Sequence, residues 1–170
     1  SVVRYGNVLG SRGSVIPYWK KMIDEGATSL PITDKRMNRF WITLEQSVDF
    51  VIDCFTRMRG GEIYVPKIPS MRIIDLAEAL APGVPHVYTG IREGEKLHEL
   101  MIGIEDARHT LEYDDHYMIM PEIFTENVLT KSKFLLERPG SNLPEDFSYG
   151  SNTNKEWLAV EQLQKIIQPF

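Results

Sequence analysis

A glycine-rich turn between a short apolar strand and an amphipathic helix constrains the fold of this chain more than any other feature. The first sixteen residues read SVVRYGNVLGSRGSVI, in which Val2 and Val3 begin an extended, β-branched segment. Gly10 and Gly13 flank the turn, and a helix is predicted to follow from Ser14. A strand, a tight turn and a helix in that order are typical of α/β proteins. The backbone N–H groups of such a turn, together with the helix dipole, also suit a phosphate, and glycines required only for the backbone conformation of the turn are the alternative.

Strands and helices alternate along the rest of the chain. Extended segments are predicted at LPITD, EIYVP and HVYTGI, and a hairpin is predicted at TLEYDDHYMIM. Helical spacing of apolar residues predicts helices in ITLEQSVDFVIDCFTRM, IIDLAEAL, EKLHELMI and NKEWLAVEQLQKII, the last of them capped by Asn154. The longest of these helices carries one apolar face, formed by Leu44, Val48, Val51, Ile52, Phe55 and Met58. The alternation predicts an α/β or α+β fold.

Composition excludes several classes of protein. The 170 residues carry a formal net charge of -5, which argues against a general nucleic-acid surface. No apolar run reaches the roughly 20 residues that a membrane span requires, and the N-terminus lacks a signal-peptide pattern, so a cytoplasmic location is expected. The single cysteine, Cys54, excludes a disulfide framework and is predicted to be a buried, inert thiol.

Two short segments concentrate arginines that could bind an anion. RMNRFW places Arg36 and Arg39 three residues apart, and the arginine side chain presents a planar fork that pairs with phosphate oxygens. IREGEKLHE brings Arg92 and Glu95 into one loop, where they could share one nucleotide. A solvated arginine pair in the first segment and a surface salt bridge in the second are the alternatives.

Several common catalytic motifs are absent from the sequence. It contains no GxxxxGK[ST] loop, no G-x-S-x-G elbow and no HExxH pair, and its four histidines have no spacing typical of a metal site. No metal is therefore expected.

Long ordered stretches of the chain resemble one enzyme family. They are RYGNVLGSRGSVIPYW, LPITDKRMNRFWITLEQSVDF, GGEIYVPKIPSMRIIDLAEAL, GIREGEKLHELMI and SNTNKEWLAVEQLQKII. The chain resembles the C-terminal half of an extended short-chain dehydrogenase/reductase that acts on nucleotide sugars. The resemblance is greatest to the 5-inverting UDP-N-acetylglucosamine 4,6-dehydratases of the pseudaminic acid pathway, lyases that contribute to flagellin and surface polysaccharide glycans.

The resemblance implies a fold, a domain organisation and a set of partners. One late strand of a Rossmann sheet is expected together with a smaller mixed α/β substrate-binding domain. Residues 1–26 would complete the Rossmann-like domain, 27–138 would form the nucleotide-sugar-binding domain, and 139–170 would form a connector and a C-terminal helix. The implied cofactor is NADP, bound mainly by the N-terminal half of the family's enzymes. The implied partners are a UDP-sugar, that Rossmann half and further copies in a homo-oligomer, a hexamer in the family, with no nucleic acid and no membrane.

The resemblance also assigns roles to individual residues. The diphosphate contacts of the family match Asn7, Arg39 and Arg92, and the carboxylate that accepts from the uridine ribose matches Glu95. The segment beside the uracil ring matches Pro31, Ile32 and Thr33. The position that passes the nicotinamide end of the cofactor matches Tyr5.

Two positions depart from the pattern of the family. Asn38 stands where threonine is expected, and Glu93 stands where proline is expected. Neither residue replaces a proposed ligand. Glu93 adds negative charge beside Arg92, which makes Arg92 the assignment that most needs to be tested.

The motifs that carry catalysis in the family do not occur in this sequence. A GxGxxG fingerprint, a Tyr-x-x-x-Lys pair and the preceding Asp-Lys pair are all missing, so no catalytic residue is expected here. In the family, hydride passes from C4 of the sugar to NADP, water leaves across C5 and C6, and hydride returns to C6 with inversion at C5.

The other strands of the Rossmann sheet are expected to precede Val2 and Val3. We therefore expect little or no dehydratase activity from this chain, and weak UDP binding at most.

Two other functions stay open on the sequence alone. One is a different nucleotide-sugar enzyme of the superfamily, either an epimerase or a retaining dehydratase. The other is a non-catalytic domain for binding or assembly, which the missing motifs favour.

Overall fold

The α/β class predicted from the sequence is confirmed by a computed structural model, which describes residues 1–121 and 139–168. The strands are β1 (Val2–Val3), β2 (Asn7–Val8), β3 (Leu30–Ile32), β4 (Asn38–Ile42), β5 (Ile63–Pro66), β6 (Ser70–Arg72), β7 (His86–Tyr88), β8 (Leu100–Ile102), β9 (Thr110–Glu112), β10 (His116–Ile119), β11 (Ser141–Asn142) and β12 (Tyr149–Gly150). The helices are α1 (Val15–Asp24), α2 (Leu44–Arg57), α3 (Ile73–Leu80), α4 (Ile104–Ala107) and α5 (Val160–Ile167).

The chain forms two compact units that interleave along the sequence. The first unit comprises Ser1–Tyr5, Glu45–Lys67 and Leu100–Gly150, and the second comprises Gly6–Leu44, Ile68–Glu99 and Ser151–Phe170. The functional boundaries expected from the resemblance, at residues 26 and 138, stay a prediction, and the stretch 122–138 that ends the middle domain lies outside the described residues.

The first unit is built on a five-stranded sheet with the order β1-β5-β10-β9-β11. β1 pairs in parallel with β5, with Val2 opposite Ile63. The expectation that the other strands of its sheet precede Val2 and Val3 is therefore wrong for β5, which follows them in the sequence. The predicted hairpin is confirmed, because β9 and β10 pair antiparallel with Tyr117 opposite Glu112. Cys54 packs in the core of this unit beside Tyr64, as expected of a buried thiol.

The second unit contains two small sheets and the larger apolar core. β2 pairs in parallel with β4, β4 pairs antiparallel with β6, and β3 pairs in parallel with β7. Helices α1, α3 and α5 contribute the core side chains, among them Ile16, Trp19, Leu76, Ala77 and Leu163. These helices and sheets position the loops that carry the predicted substrate residues.

Two of the predicted helices differ from the structure. EKLHELMI is not helical: its last residues begin β8, and the Leu97 carbonyl accepts hydrogen bonds from the Asn38 backbone N–H and the Arg39 side chain. The final helix begins at Val160, not beside Asn154. The Asn154 amide instead donates to the Ile68 carbonyl at 2.9 Å, which ties the preceding loop to the start of β6.

Helix α2 exposes the apolar face that the sequence predicts. Ser47 and Cys54 are its buried residues, whereas Leu44, Ile52 and Phe55 are 63%, 59% and 73% exposed. None of the helices among the described residues is both long and apolar enough to span a membrane.

Candidate functional site

A cavity of about 740 Å³ lies within the second unit, a size typical of pockets for small molecules. Loops after β2, β3 and β7 line it, together with the first turn of α1 and part of β4. All seven residues that the resemblance assigns to the substrate line this cavity: Asn7, Pro31, Ile32, Thr33, Arg39, Arg92 and Glu95.

Asn7 reaches the cavity because β2 lies unusually close to β4. A Cβ atom added to Gly6 would lie 2.6 Å from the Cβ of Phe40, so only glycine allows the two strands this approach. Asn7 then pairs with Trp41 in parallel register, and the Leu9 N–H donates to the Ile42 carbonyl. The Asn7 side chain is exposed and lines the cavity.

Arg39 lines the cavity with a largely buried side chain that is held by the loop before β8. Its Nη1 donates to the Asn38 carbonyl at 2.7 Å and to the Leu97 carbonyl at 3.1 Å. Its Nη2 donates to the Lys96 carbonyl at 2.8 Å, and its Nε lies 3.4 Å from Glu99 Oε1. A guanidinium has five N–H donors, so one N–H on Nη2 remains beyond these contacts.

Arg92 and Glu95 belong to one turn in the loop after β7. The Glu95 N–H donates to the Arg92 carbonyl at 3.1 Å, and the Arg92 N–H donates to Glu95 Oε2 at 3.3 Å. Gly90 and Gly94 have φ values of 83° and 77°, a left-handed conformation that favours glycine. The turn leaves the Arg92 side chain exposed. Among the described residues, no salt bridge joins the side chains of Arg92 and Glu95. The surface salt bridge given above as the alternative for this segment is therefore not formed.

The segment from Pro31 to Thr33 forms the wall next to this loop. Ile32 is fully buried, whereas Pro31 and Thr33 on either side of it are half-buried and are the residues of this wall that a ligand could reach. The Pro31 carbonyl accepts a hydrogen bond from Trp19 Nε1 at 3.2 Å. The Thr89 N–H donates to the Ile32 carbonyl at 2.9 Å, and Thr33 Oγ1 donates to Glu95 Oε1 at 3.4 Å. This wall and the loop after β7 are thereby held together.

The charge of the cavity differs in sign from that of the chain. Two arginines and one carboxylate are the charged residues that line it, Arg39, Arg92 and Glu95. The formal net charge of the whole chain is -5. Glu99 offsets the charge of Arg39 from outside the lining, so the exposed guanidinium of Arg92 is the charge that most favours an anionic ligand.

Arg36, the other arginine of RMNRFW, does not line the cavity. Its Nε and Nη2 donate to the two carboxylate oxygens of Asp34 at 3.0 and 2.8 Å. Donation from the Arg36 side chain, followed by its backbone N–H, lowers the pKa of Asp34 to about 2. Arg36 therefore forms an exposed ion pair with Asp34, whereas Arg39 is largely buried, so the solvated arginine pair considered for this segment does not describe both residues.

Tyr5 lies outside the cavity lining. It belongs to the first unit and is 38% exposed. Its assignment to the cofactor stays a prediction. No cluster of three metal-binding side chains occurs among residues 1–121 and 139–168.

Sequence reasoning missed residues that support the site. Trp41 and Thr89 also line the cavity, and Glu99 holds Arg39. Ser151 is fully buried against the loop that contains Glu99. No local pattern marks Glu99 or Ser151, because their contacts join segments that are distant in the sequence.

Comparisons with known proteins identify relatives that are longer than this chain. It is 53% identical, over 98% of its length, to a Campylobacter jejuni protein called UDP-N-acetylglucosamine 4,6-dehydratase (inverting). It is 40% identical, over 69% of its length, to a UDP-glucose 4-epimerase of Rickettsia canadensis. The chain spans half the length of the first relative and 36% of the second.

A solved structure has the same fold. Pen from Bacillus thuringiensis superimposes with a TM-score of 0.79 at 26% identity, over 99% of this chain and 48% of that one. The family model described as polysaccharide biosynthesis protein matches residues 1–121. Because that match covers more than half of the sequence, this chain belongs to the polysaccharide biosynthesis protein family.

Proposed function

We propose that this chain binds the UDP portion of a nucleotide sugar and forms the substrate-binding part of an inverting UDP-N-acetylglucosamine 4,6-dehydratase, a lyase. The observation that carries the proposal is that Asn7, Arg39 and Arg92 line one cavity although they come from three separate segments. The dehydratase relative, which is 53% identical, supports the choice of sugar and reaction.

The diphosphate is the group that this cavity suits best. The exposed Arg92 side chain can present a planar fork to two phosphate oxygens, and Arg39 has one N–H left on Nη2. The Asn7 amide adds a neutral donor from β2. Each of these hydrogen bonds to a charged oxygen is stronger than a bond between neutral groups. Together they would fix the diphosphate and thereby orient the sugar attached to it.

The uridine would extend from the diphosphate towards Glu95 and the Pro31–Thr33 wall. Glu95 carries two acceptor oxygens, and ribose hydroxyls are donors that match them. One of these oxygens also accepts from Thr33, which keeps the carboxylate facing the wall. The Pro31–Thr33 segment would lie beside the uracil ring, as the resemblance implies, with the half-buried Pro31 and Thr33 as the accessible residues.

The NADP expected from the resemblance does not fit a site built from the described residues alone. The sequence has no GxGxxG turn, and the glycine-rich turn after β2 lines the same cavity as the two arginines. Tyr5 is the one residue here that the resemblance assigns to the cofactor. We therefore limit the role of this chain to binding and orienting the nucleotide sugar.

A UDP titration followed by ¹H–¹⁵N NMR tests the proposal directly. We expect weak but saturable shifts of the backbone N–H signals of Ile32, Thr33 and residues 89–95. Arg92→Ala and Arg39→Ala should each weaken binding by about tenfold, since each removes a charge-assisted hydrogen bond. Arg72→Ala is the matched control, because Arg72 is an exposed arginine of the second unit that pairs with Asp75 outside the cavity.

Two results would contradict the proposal. One is no response to UDP at any concentration, which would favour the non-catalytic assembly role. The other is an equal loss of binding in Arg72→Ala and Arg92→Ala. Measurable turnover of UDP-N-acetylglucosamine by the purified chain would contradict our expectation that it has little or no activity of its own.

An epimerase is the second candidate, and the Rickettsia relative supports it. Both reactions use a UDP-sugar, so UDP binding alone does not separate them. A titration with UDP-N-acetylglucosamine and with UDP-glucose does, because the dehydratase assignment predicts tighter binding of the first. The cytoplasmic location and the hexamer stay predictions from the sequence.

A further inference from the structure

A buried pair of polar side chains, Asn38 and Ser151, lies next to Arg39, whose Nη1 donates to the Asn38 carbonyl. Ser151 Oγ donates to Asn38 Oδ1 at 2.5 Å, across 113 residues of sequence. Ser151 is fully buried and Asn38 is 5% exposed. A hydrogen bond between two groups removed from water fixes their geometry, because neither group can exchange its partner for solvent. Neither residue lines the cavity.

Ser151 is also hydrogen-bonded to both the N–H and the carbonyl of Glu99. The Glu99 N–H donates to Ser151 Oγ at 2.8 Å, and the Ser151 N–H donates to the Glu99 carbonyl at 2.8 Å. Three hydrogen bonds of 2.8 Å or less, and a longer one of 3.5 Å from Ser151 Oγ to the Asn38 carbonyl, thus involve the side chain and amide of Ser151. Glu99 is thereby fixed at the end of the loop that carries Arg92 and Glu95.

Glu99 passes this constraint to Arg39. Glu99 Oε1 lies 3.4 Å from Arg39 Nε, and the Arg39 side chain is 12% exposed. The carbonyl of Asn38 accepts from Arg39 Nη1 at 2.7 Å, so Asn38 contacts the guanidinium on its own account. Glu99 and the Asn38 carbonyl therefore both hold Arg39, and Ser151 is hydrogen-bonded to both of these residues.

We infer that Asn38 and Ser151 are positioning residues that orient the Arg39 guanidinium through Glu99. The part of this inference that concerns a ligand rests on the proposed function, because it assumes that Arg39 contacts a diphosphate. The orientation of Arg39 itself does not depend on any ligand. Asn38 is one of the two residues that depart from the pattern of the family, where threonine is expected. A threonine hydroxyl offers an acceptor on a shorter side chain, so Asn38→Thr tests whether a polar atom at position 38 is sufficient.

Three variants separate positioning from simple support of the fold. Ser151→Ala removes the hydroxyl, and Asn38→Val removes the polar atom at position 38. Asn38→Thr has nearly the same shape as Asn38→Val and restores a hydroxyl. Ser148→Ala is the control, since Ser148 is a half-buried serine of the first unit.

The first measurement needs no ligand. Hydrogen exchange of the Arg39 Nε–H, followed by ¹⁵N NMR, should accelerate at least about fivefold in Ser151→Ala and Asn38→Val, because a freed guanidinium exposes this N–H to water. Asn38→Thr and Ser148→Ala should leave the rate within about twofold of the parent chain. An unchanged rate in Ser151→Ala overturns the inference.

The second measurement compares UDP with uridine. Ser151→Ala should weaken UDP binding by about three- to tenfold and leave uridine binding unchanged, because the misplaced group contacts only the diphosphate. An equal loss for both ligands would mean that Ser151 supports the fold in general, and it would overturn the inference. If the parent chain does not bind UDP, the proposed function fails, and the exchange rate of Arg39 still decides the inference.

Discussion

Thr33 and Glu95 are 62 residues apart in the sequence, and Thr33 Oγ1 donates to Glu95 Oε1 at 3.4 Å. The bond connects the end of β3 to the turn that carries Arg92. The other Glu95 oxygen accepts the Arg92 N–H, so both oxygens of the carboxylate are oriented before any ligand binds. A ligand donor that meets this carboxylate therefore meets a fixed acceptor, which lowers the entropic cost of binding.

The first prediction concerns this carboxylate. If Glu95 accepts from ribose hydroxyls, Glu95→Ala should weaken UDP binding by about tenfold and have little effect on 2′,3′-dideoxy-UDP, which lacks those donors. The measurement is a pair of NMR titrations with the two nucleotides. Glu93→Ala is the matched control, because Glu93 is an exposed glutamate of the same loop that does not line the cavity. A tenfold loss for both nucleotides would assign Glu95 to the shape of the loop and not to the ribose.

Local sequence patterns predicted most of the strands and helices. The strand, turn and helix at the N-terminus, the hairpin of β9 and β10, and helices α2 and α3 all follow from apolar spacing and turn residues that lie within one segment. The cavity could be anticipated only through the resemblance. Its residues come from segments up to 88 positions apart, from Asn7 to Glu95, and no local pattern records that proximity.

The errors share one physical cause. EKLHELMI has helical spacing, but long-range hydrogen bonds from Arg39 engage the Lys96 and Leu97 carbonyls. Asn154 could cap a helix, but the Ser70 N–H donates to the Glu156 carbonyl and the Leu158 N–H donates to the Ser70 carbonyl, which holds the residues after Asn154 in a bridge to β6. In both places a tertiary contact uses a backbone or side-chain group that a local helix would have needed. The supporting contacts of Ser151 were missed for the same reason.

The second prediction concerns the close approach of β2 and β4. Gly6→Ala should lower the free energy of unfolding by about 1–3 kcal/mol, because the added Cβ would lie 2.6 Å from Phe40 Cβ and 2.8 Å from the Phe40 carbonyl oxygen. Urea unfolding followed by circular dichroism measures the change. Gly103→Ala should cost much less, since its nearest neighbour would lie 3.9 Å away. Equal losses in the two variants would show that β2 can shift to accept the methyl group.

The third prediction concerns acid stability. Hydrogen bonds from the Arg36 side chain and backbone lower the pKa of Asp34 from 3.8 to about 2. Because the folded state has the lower pKa, this pair stabilises the fold above about pH 4, and the contribution is lost as the pH falls towards 2. A ¹³C NMR titration of the carboxyl carbon measures the value. Arg36→Ala should raise the pKa of Asp34 towards 3.8, and an unchanged value in that variant would contradict the assigned cause.

The fourth prediction concerns the core of the second unit. Leu163 on α5 is fully buried in the cluster that also contains Leu76 and Ala77 of α3. Leu163→Ala should lower the free energy of unfolding by about 2–5 kcal/mol, the range for a large-to-small change that leaves a cavity. Tryptophan fluorescence during urea unfolding is a suitable probe, because all three tryptophans belong to this unit.

Ile91→Ala is the control for Leu163→Ala, since Ile91 lies in the same unit and is 46% exposed. Ile91→Ala should lower the free energy of unfolding by less than about 1 kcal/mol, because nearly half of this side chain is already in water. The same two variants also test whether α5 is needed for the cavity. If α3 is held mainly by α5, Leu163→Ala should disturb the NMR signals of Met71 and Ile73, which line the cavity at the start of α3. Unchanged signals there, with the expected loss of stability, would mean that β4 and β6 hold that wall without α5.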